Sequence, residues 1–154
     1  MKKIWILHNS LHGNSAQVAN QMANVLNSNY DVSVEHIKNI TPEVIAEQTP
    51  YGLIIAVRIL AFRSDPEMRE FISELDKVIT QPIAKIAYFA THALGWKKLF
   101  IKGMKKTLEN ADCVGEICPE FLEIKVEKAE GPLVQGSDMK IANYISKVNN
   151  FLVY

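Results

Sequence analysis

A chain of 154 residues, 48% hydrophobic and 22% charged, has the length of one domain and a globular composition, which excludes disordered and fibrous classes. Its 17 basic and 17 acidic residues cancel to a formal net charge of zero, which leaves a nucleic-acid binder with little support. No stretch reaches the ~20 apolar residues of a membrane-spanning helix, and Ile4–Leu7, after Met1-Lys2-Lys3, is far shorter than the roughly 7–15 apolar residues of a signal peptide; the expectation is a cytoplasmic protein without a transmembrane segment.

Strands and helices alternate along the chain. Lys3–His8 (KIWILH) is a short apolar run ending in a polar turn, the pattern of a parallel strand covered on both faces. Asn14–Asn27 follows as a helix with Val18, Met22, Val25 and Leu26 on one face. Asn14 and Gln17 have the spacing of a capping box. Val32–Ile37 alternates like a half-buried edge strand. Thr41 caps a short helix with Pro42 at its first position, and Pro50 closes that segment.

Leu53–Ile59 (LIIAVRI) is the most apolar run and the predicted central strand. Asp65-Pro66-Glu67 repeats the cap-and-proline start, before a helical stripe of Met68, Phe71, Ile72 and Leu75. Ile83–Ala90 is predicted as the fourth strand, Trp96–Asn110 as the fourth helix and Cys113–Cys118 as the fifth strand. Asp138 is the expected cap of a last helix with Ile141, Ile145, Val148 and Leu152 facing inward. In the intervening Pro119–Ser137, Leu122, Ile124 and Val126 alternate with charges, as in one more short strand. Five such strand–helix units predict an α/β fold over residues 1–154 as a single domain: a three-layer sandwich with a five-stranded parallel sheet of order 2-1-3-4-5 and helices on both faces.

Ligands of such sheets sit at the carboxyl ends of the strands, beside the switch between the first and third. Three loops therefore matter: those after Leu7, Ile59 and Ala90. The first, Ser10-Leu11-His12-Gly13-Asn14-Ser15, is small and hydroxyl-rich and enters a helix N-terminus. Converging backbone N–H groups, partial positive charge and two serine hydroxyls suit a phosphate monoester without any Lys or Arg. A plain strand-to-helix turn has the same composition.

The sequence resembles the flavodoxin family at these points. The family's phosphate motif, Ser/Thr-x-Thr-Gly-x-Thr/Ser, is matched by Ser10, Gly13 and Ser15, while His12 stands in place of threonine. Tyr51-Gly52-Leu53-Ile54-Ile55 is similar to its Tyr-Asp-Leu-Ile strand entry, and Phe89-Ala90-Thr91-His92 to its Phe-Ser-Thr strand end. The resemblance implies a flavodoxin-like fold and flavin mononucleotide (FMN) as cofactor. It places the phosphate on Ser10, Leu11, His12, Gly13, Asn14 and Ser15, and the ring against Arg58, Ile59, Leu60, Ala61 and Phe62 and against Thr91, His92, Ala93, Leu94, Gly95 and Trp96.

The second loop departs from the family, which usually has glycine there: Val57–Ser64 contains none. Phe62 either stacks on a ring or plugs the core, and Trp96 either covers the flavin or packs at the start of its helix. In the family a peptide of this loop turns over on reduction. A run with branched Val57 and Ile59 resists that turn, so single-electron storage is expected to be poor. Arg58 or Arg63, if directed at the ring, would favour the fully reduced form. His92 reads as a polar loop residue, and neither His8 nor His12 has metal-ligand spacing. No catalytic side chain is assigned and no metal is expected. Cys113 and Cys118, on opposite faces of a strand, read as buried thiols.

Lys97, Lys98, Lys102, Lys105 and Lys106 share a helix with Trp96, Leu99, Phe100, Ile101 and Met104. This basic amphipathic element is either a solvated face over a core or a docking surface for an acidic redox partner or an anionic membrane. Three functions compete. One is an electron carrier serving a protein partner. The second is a flavin-dependent oxidoreductase acting directly on a substrate; bacterial flavodoxin-like protoporphyrinogen oxidases are similar around Ala56–Ile72. The third is a flavin-free binding module. A response-regulator receiver is excluded, because His8-Asn9 and Val57-Arg58 stand where its acidic pair and phospho-acceptor aspartate belong.

Overall fold

The computed structural model describes residues 1–60, 63–92, 98–126 and 132–154. In chain order the elements are β1 (Lys3–His8), α1 (Asn14–Leu26), β2 (Asp31–His36), a 3-10 turn (Ile37–Asn39), α2 (Pro42–Gln48), β3 (Gly52–Leu60), β4 (Arg63–Ser64), α3 (Pro66–Val78), β5 (Ile83–His92), α4 (Lys98–Asn110), β6 (Val114–Ile117), β7 (Leu122–Lys125) and α5 (Ser137–Val153).

The sheet runs β2-β1-β3-β5-β6, with β7 also pairing with β5. All of these pairs are parallel, so the predicted order 2-1-3-4-5 is the observed one, with its last strand in two pieces. Cys113–Cys118, expected to be the whole fifth strand, supplies the first half: Ile83, Lys85 and Ile86 face Val114, Glu116 and Ile117. The alternating Leu122–Ile124 segment is the second half, from Phe89↔Leu122 to His92↔Lys125. Pro119 follows Cys118 directly and has no N–H to continue the ladder. Gly115 lets β6 approach β5: a Cβ there would lie 2.7 Å from the carbonyl oxygens of Ile83 and Ala84. Val126 bridges Leu133 antiparallel before α5.

Strand alternation divides the core. Ile4, Ile6, Ile54, Ala56 and Phe89 pack under α1 and α5. Trp5, Leu7, Leu53, Ile55 and Val57 pack under α2, α3 and α4. The stripe of α1 is buried at Val18, Ala19, Met22, Ala23 and Leu26, but Val25 is 52% exposed, at the rim of the groove beside α5. The α5 stripe is buried as expected and adds Tyr144.

The capping residues of two helices differ from expectation. Gly13, at φ 87°, takes the N-cap of α1, so Asn14 is its first helical residue and no capping box forms. Gly136, at φ 88°, caps α5, and Asp138 lies inside the first turn, where its charge suits the helix dipole. Asp65 caps α3 as predicted. Thr41 occupies the N-cap of α2 without a side-chain bond. Both cysteines are free and buried. Among the described residues no helix is long and apolar enough to cross a membrane.

Candidate functional site

The candidate site is at the carboxyl ends of β1, β3 and β5, beside the switch between β1 and β3. The turn after β1 is closed internally: the Gly13 N–H donates to Ser10 Oγ at 2.8 Å, and the Ser10 N–H donates to His8 Nδ1 at 3.3 Å. Because Ser10 Oγ already accepts, its proton is left to donate elsewhere. The positive φ of Gly13 bends the chain into α1, and the first helical bond runs from Gln17 N–H to the Gly13 carbonyl at 2.9 Å. The space beside the Gly13 α-carbon is open to 4 Å, and no acidic residue occupies the first turn of α1. Leu11 is 71% exposed, and His12 and Gly13 are exposed too.

Ser15 is buried, and its hydroxyl lies 3.0 Å from that of Thr91, near the end of β5. This bond joins the first loop to the third. Thr91 also faces Arg58 across the β3–β5 ladder. The structure thus brings together Ser10, Gly13, Asn14 and Ser15 with Arg58 and Thr91. Two strands run further than predicted: β3 ends at Leu60, one residue past Ile59, and β5 ends at His92, two residues past Ala90. β3 runs on because it turns back on itself: Ile59 faces Ser64 and Leu60 faces Arg63 in an antiparallel pair. Ala61, Phe62, Ala93, Leu94, Gly95 and Trp96 lie outside the described residues.

Asn9, Asp65 and Glu67 were not anticipated here. Asp65 is fully buried. One carboxylate oxygen accepts from the Glu67 N–H at 3.0 Å and the Met68 N–H at 3.4 Å. The other accepts from Asn9 Nδ2 at 2.8 Å and Arg58 Nε at 3.2 Å. Asn9 Nδ2 also reaches Glu67 Oε2 at 3.4 Å, and Lys38 Nζ is 4.0 Å from that oxygen. Arg58, expected to favour the fully reduced form if directed at the ring, meets a buried carboxylate. The Asp-Pro-Glu signal revealed the helix cap and nothing of the second oxygen.

His8 and His36 end adjacent strands with their rings edge-to-face, 5.2 Å between centroids. Burial, then the His36 ring, lowers the His8 pKa, with Glu35 acting in the opposite sense. On α4, Lys105 and Lys106 are exposed while Met104 and Leu108 are buried. Trp96 and Lys97 lie outside the described residues, and α4 is described from Lys98 onward. Among the described residues no group of three or more His, Cys, Asp and Glu is placed to hold a metal.

No protein-family model and no curated protein matches this sequence. Solved structures do. Flavodoxin 2 from Bacillus cereus superposes with a TM-score of 0.76 at 17% identity, covering 96% of this chain and 98% of that one. Flavodoxin 1 from the same organism gives 0.75 at 14% identity, over 96% and 97% of the two chains. Rubredoxin oxygen:oxidoreductase from Desulfovibrio gigas gives 0.76 at 12% identity, over 99% of this chain and 35% of that one. At these identities the likeness is one of fold, and the fold is flavodoxin-like.

Proposed function

We propose that this chain is an FMN-binding redox protein that passes electrons to or from a protein partner. The observation that carries the proposal is the Ser10–Ser15 turn: a positive-φ glycine at a helix N-terminus, tied by the Ser15–Thr91 hydroxyl pair to the strand ends of a flavodoxin-like sheet. Such a turn favours a phosphate monoester through backbone N–H groups and the helix dipole. Ser10, Leu11, His12, Gly13, Asn14 and Ser15 would hold the phosphate. Ser10 has a hydroxyl proton to give it, and the open side of Gly13 leaves room. Arg58 to Phe62 and Thr91 to Trp96 would border the ring. When bound, the flavin supplies the electron chemistry, and the protein binds, orients and tunes it.

The exposed Lys105 and Lys106 of α4 support an acidic protein as the partner. A second reading, an oxidoreductase acting directly on a substrate, draws on one observation: residues up to Leu60 form a paired strand where the family usually has a glycine-bearing turn.

Titration of the purified chain with FMN, followed by flavin absorbance and fluorescence, tests the proposal. Saturable binding is expected, with riboflavin much weaker because it lacks the phosphate. Gly13→Glu, which puts a carboxylate into the turn, should abolish binding while leaving the circular dichroism unchanged. A chain that takes up no FMN would overturn the proposal and favour a flavin-free binding module.

A further inference from the structure

We infer that Asp65 is a positioning residue for the flavin, holding Arg58 at the carboxyl end of β3 and offsetting its charge, so that the pair sets the cofactor's reduction potential. The inference rests on the FMN-binding reading. Its basis is the connectivity of one buried carboxylate. Asp65 is fully buried, Asn9 is 1% exposed and the Arg58 side chain is 12% exposed. Capping α3 occupies one carboxylate oxygen, and the other, equally buried, must take its donors from elsewhere. This one accepts from Asn9, the residue before the phosphate turn, and from Arg58. The backbone repeats the link, with the Asp65 N–H donating to the Arg58 carbonyl at 2.9 Å.

The pair stands close to the phosphate turn. Arg58 is one ladder rung from Thr91, and Thr91 is one hydrogen bond from Ser15. With strands roughly 4.8 Å apart, a charge at Arg58 is on the order of 10 Å from that turn. Arg58 is paired with Asp65, and Lys38 stands 4.0 Å from Glu67. Removing one member of the buried pair therefore leaves a full unit of charge beside the site. Reduced flavin carries a negative charge that the oxidised form lacks at pH 8. That charge is on the ring, which Arg58 would border; at a separation on the order of 10 Å and an effective dielectric near 20, the unit charge changes the ratio of reduced to oxidised affinity on the order of tenfold.

The test is reductive titration of the FMN-loaded protein against a reference dye at pH 8. Asp65→Asn can still cap α3 but leaves Arg58 uncompensated; reduced FMN should gain about tenfold over oxidised, a rise of about 30 mV for a two-electron couple. Arg58→Gln can still donate to Asp65 but leaves the carboxylate uncompensated; the potential should fall by a similar factor. The double variant should return to within threefold of the wild-type ratio. A purely structural role cannot give opposite signs that cancel. Two single variants shifting in the same direction, or neither shifting, would overturn the inference. If Asp65→Asn does not fold, Arg58→Gln decides alone, since its potential must fall. FMN bound with unmoved potentials overturns this inference alone; a wild-type chain that binds no FMN overturns the proposed function and this inference with it.

Discussion

The hydroxyl of Tyr144, on α5, donates to the carbonyl oxygen of Tyr88, in the middle of β5, at 2.8 Å. Tyr88 faces the interruption between β6 and β7, where the ladder offers it no paired residue. A side chain from the covering helix thus satisfies a buried backbone acceptor that the broken strand leaves. Burial raises the Tyr144 pKa well above its usual range, so the hydroxyl stays a donor. Tyr144→Phe keeps the packing and strands the carbonyl, and should destabilise the fold by about 1–3 kcal/mol. Urea unfolding would show this as a lower midpoint with an unchanged slope.

Alkaline pH should weaken the fold through Cys113. Burial, then the neighbouring Asp76 carboxylate, pushes its thiol up to about 12. The thiol of the unfolded chain ionises near its ordinary value while the folded one must keep its proton. A raised folded pKa contributes stability that is complete below the unfolded pKa and is lost as pH rises towards the folded one. Between pH 9 and 12, the loss approaches about 1.4 kcal/mol per pH unit for this group. Cys113→Ala should flatten the slope in that window, as read from unfolding midpoints at stepped pH.

Gly13 should resist substitution for a backbone reason. Its φ is 87°, yet a Cβ would meet nothing within 4 Å. Gly13→Ala therefore brings strain without a clash, and should cost about 1–2 kcal/mol. Gly13→Asn should cost less, because Asn enters the left-handed region more readily. Thermal unfolding of both variants checks the order; equal losses would mean that the turn has rearranged.

The α4 lysines should act on partners, not on folding. Lys105 and Lys106 are exposed, and Lys105 pairs only loosely with Glu109, at 3.8 Å. Replacing both with glutamate should leave stability within about 0.5 kcal/mol and slow electron exchange with an acidic protein donor. The native rate should fall as salt screens the attraction. A stopped-flow rate independent of ionic strength would make the patch a solvated face.

Much of this molecule is written locally. The apolar runs at β1, β3 and β5 and the helical stripes of α3 and α5 show their periods within a few residues, because each must bury a face whatever its neighbour is. Alternation with helices then leaves few sheet orders, and the observed one follows. The turn between β1 and α1 was legible in Ser10–Ser15, and Pro119 with the alternation after it contained the split of the last strand. The rest depends on distant partners. Val25 fits the α1 stripe yet faces the rim beside α5. The N-cap of α1 is Gly13 and not Asn14 because the turn has a positive φ there, which spacing alone does not display. β3 extends past Ile59 to Leu60, which pairs with Arg63. Asp65 announced a helix cap, while its second oxygen is spoken for by Asn9, 56 residues away. Hydrophobic periodicity is a property of neighbouring residues and can be read along a chain; a hydrogen bond between remote side chains exists once packing has brought them together, and that is what tertiary structure alone decided.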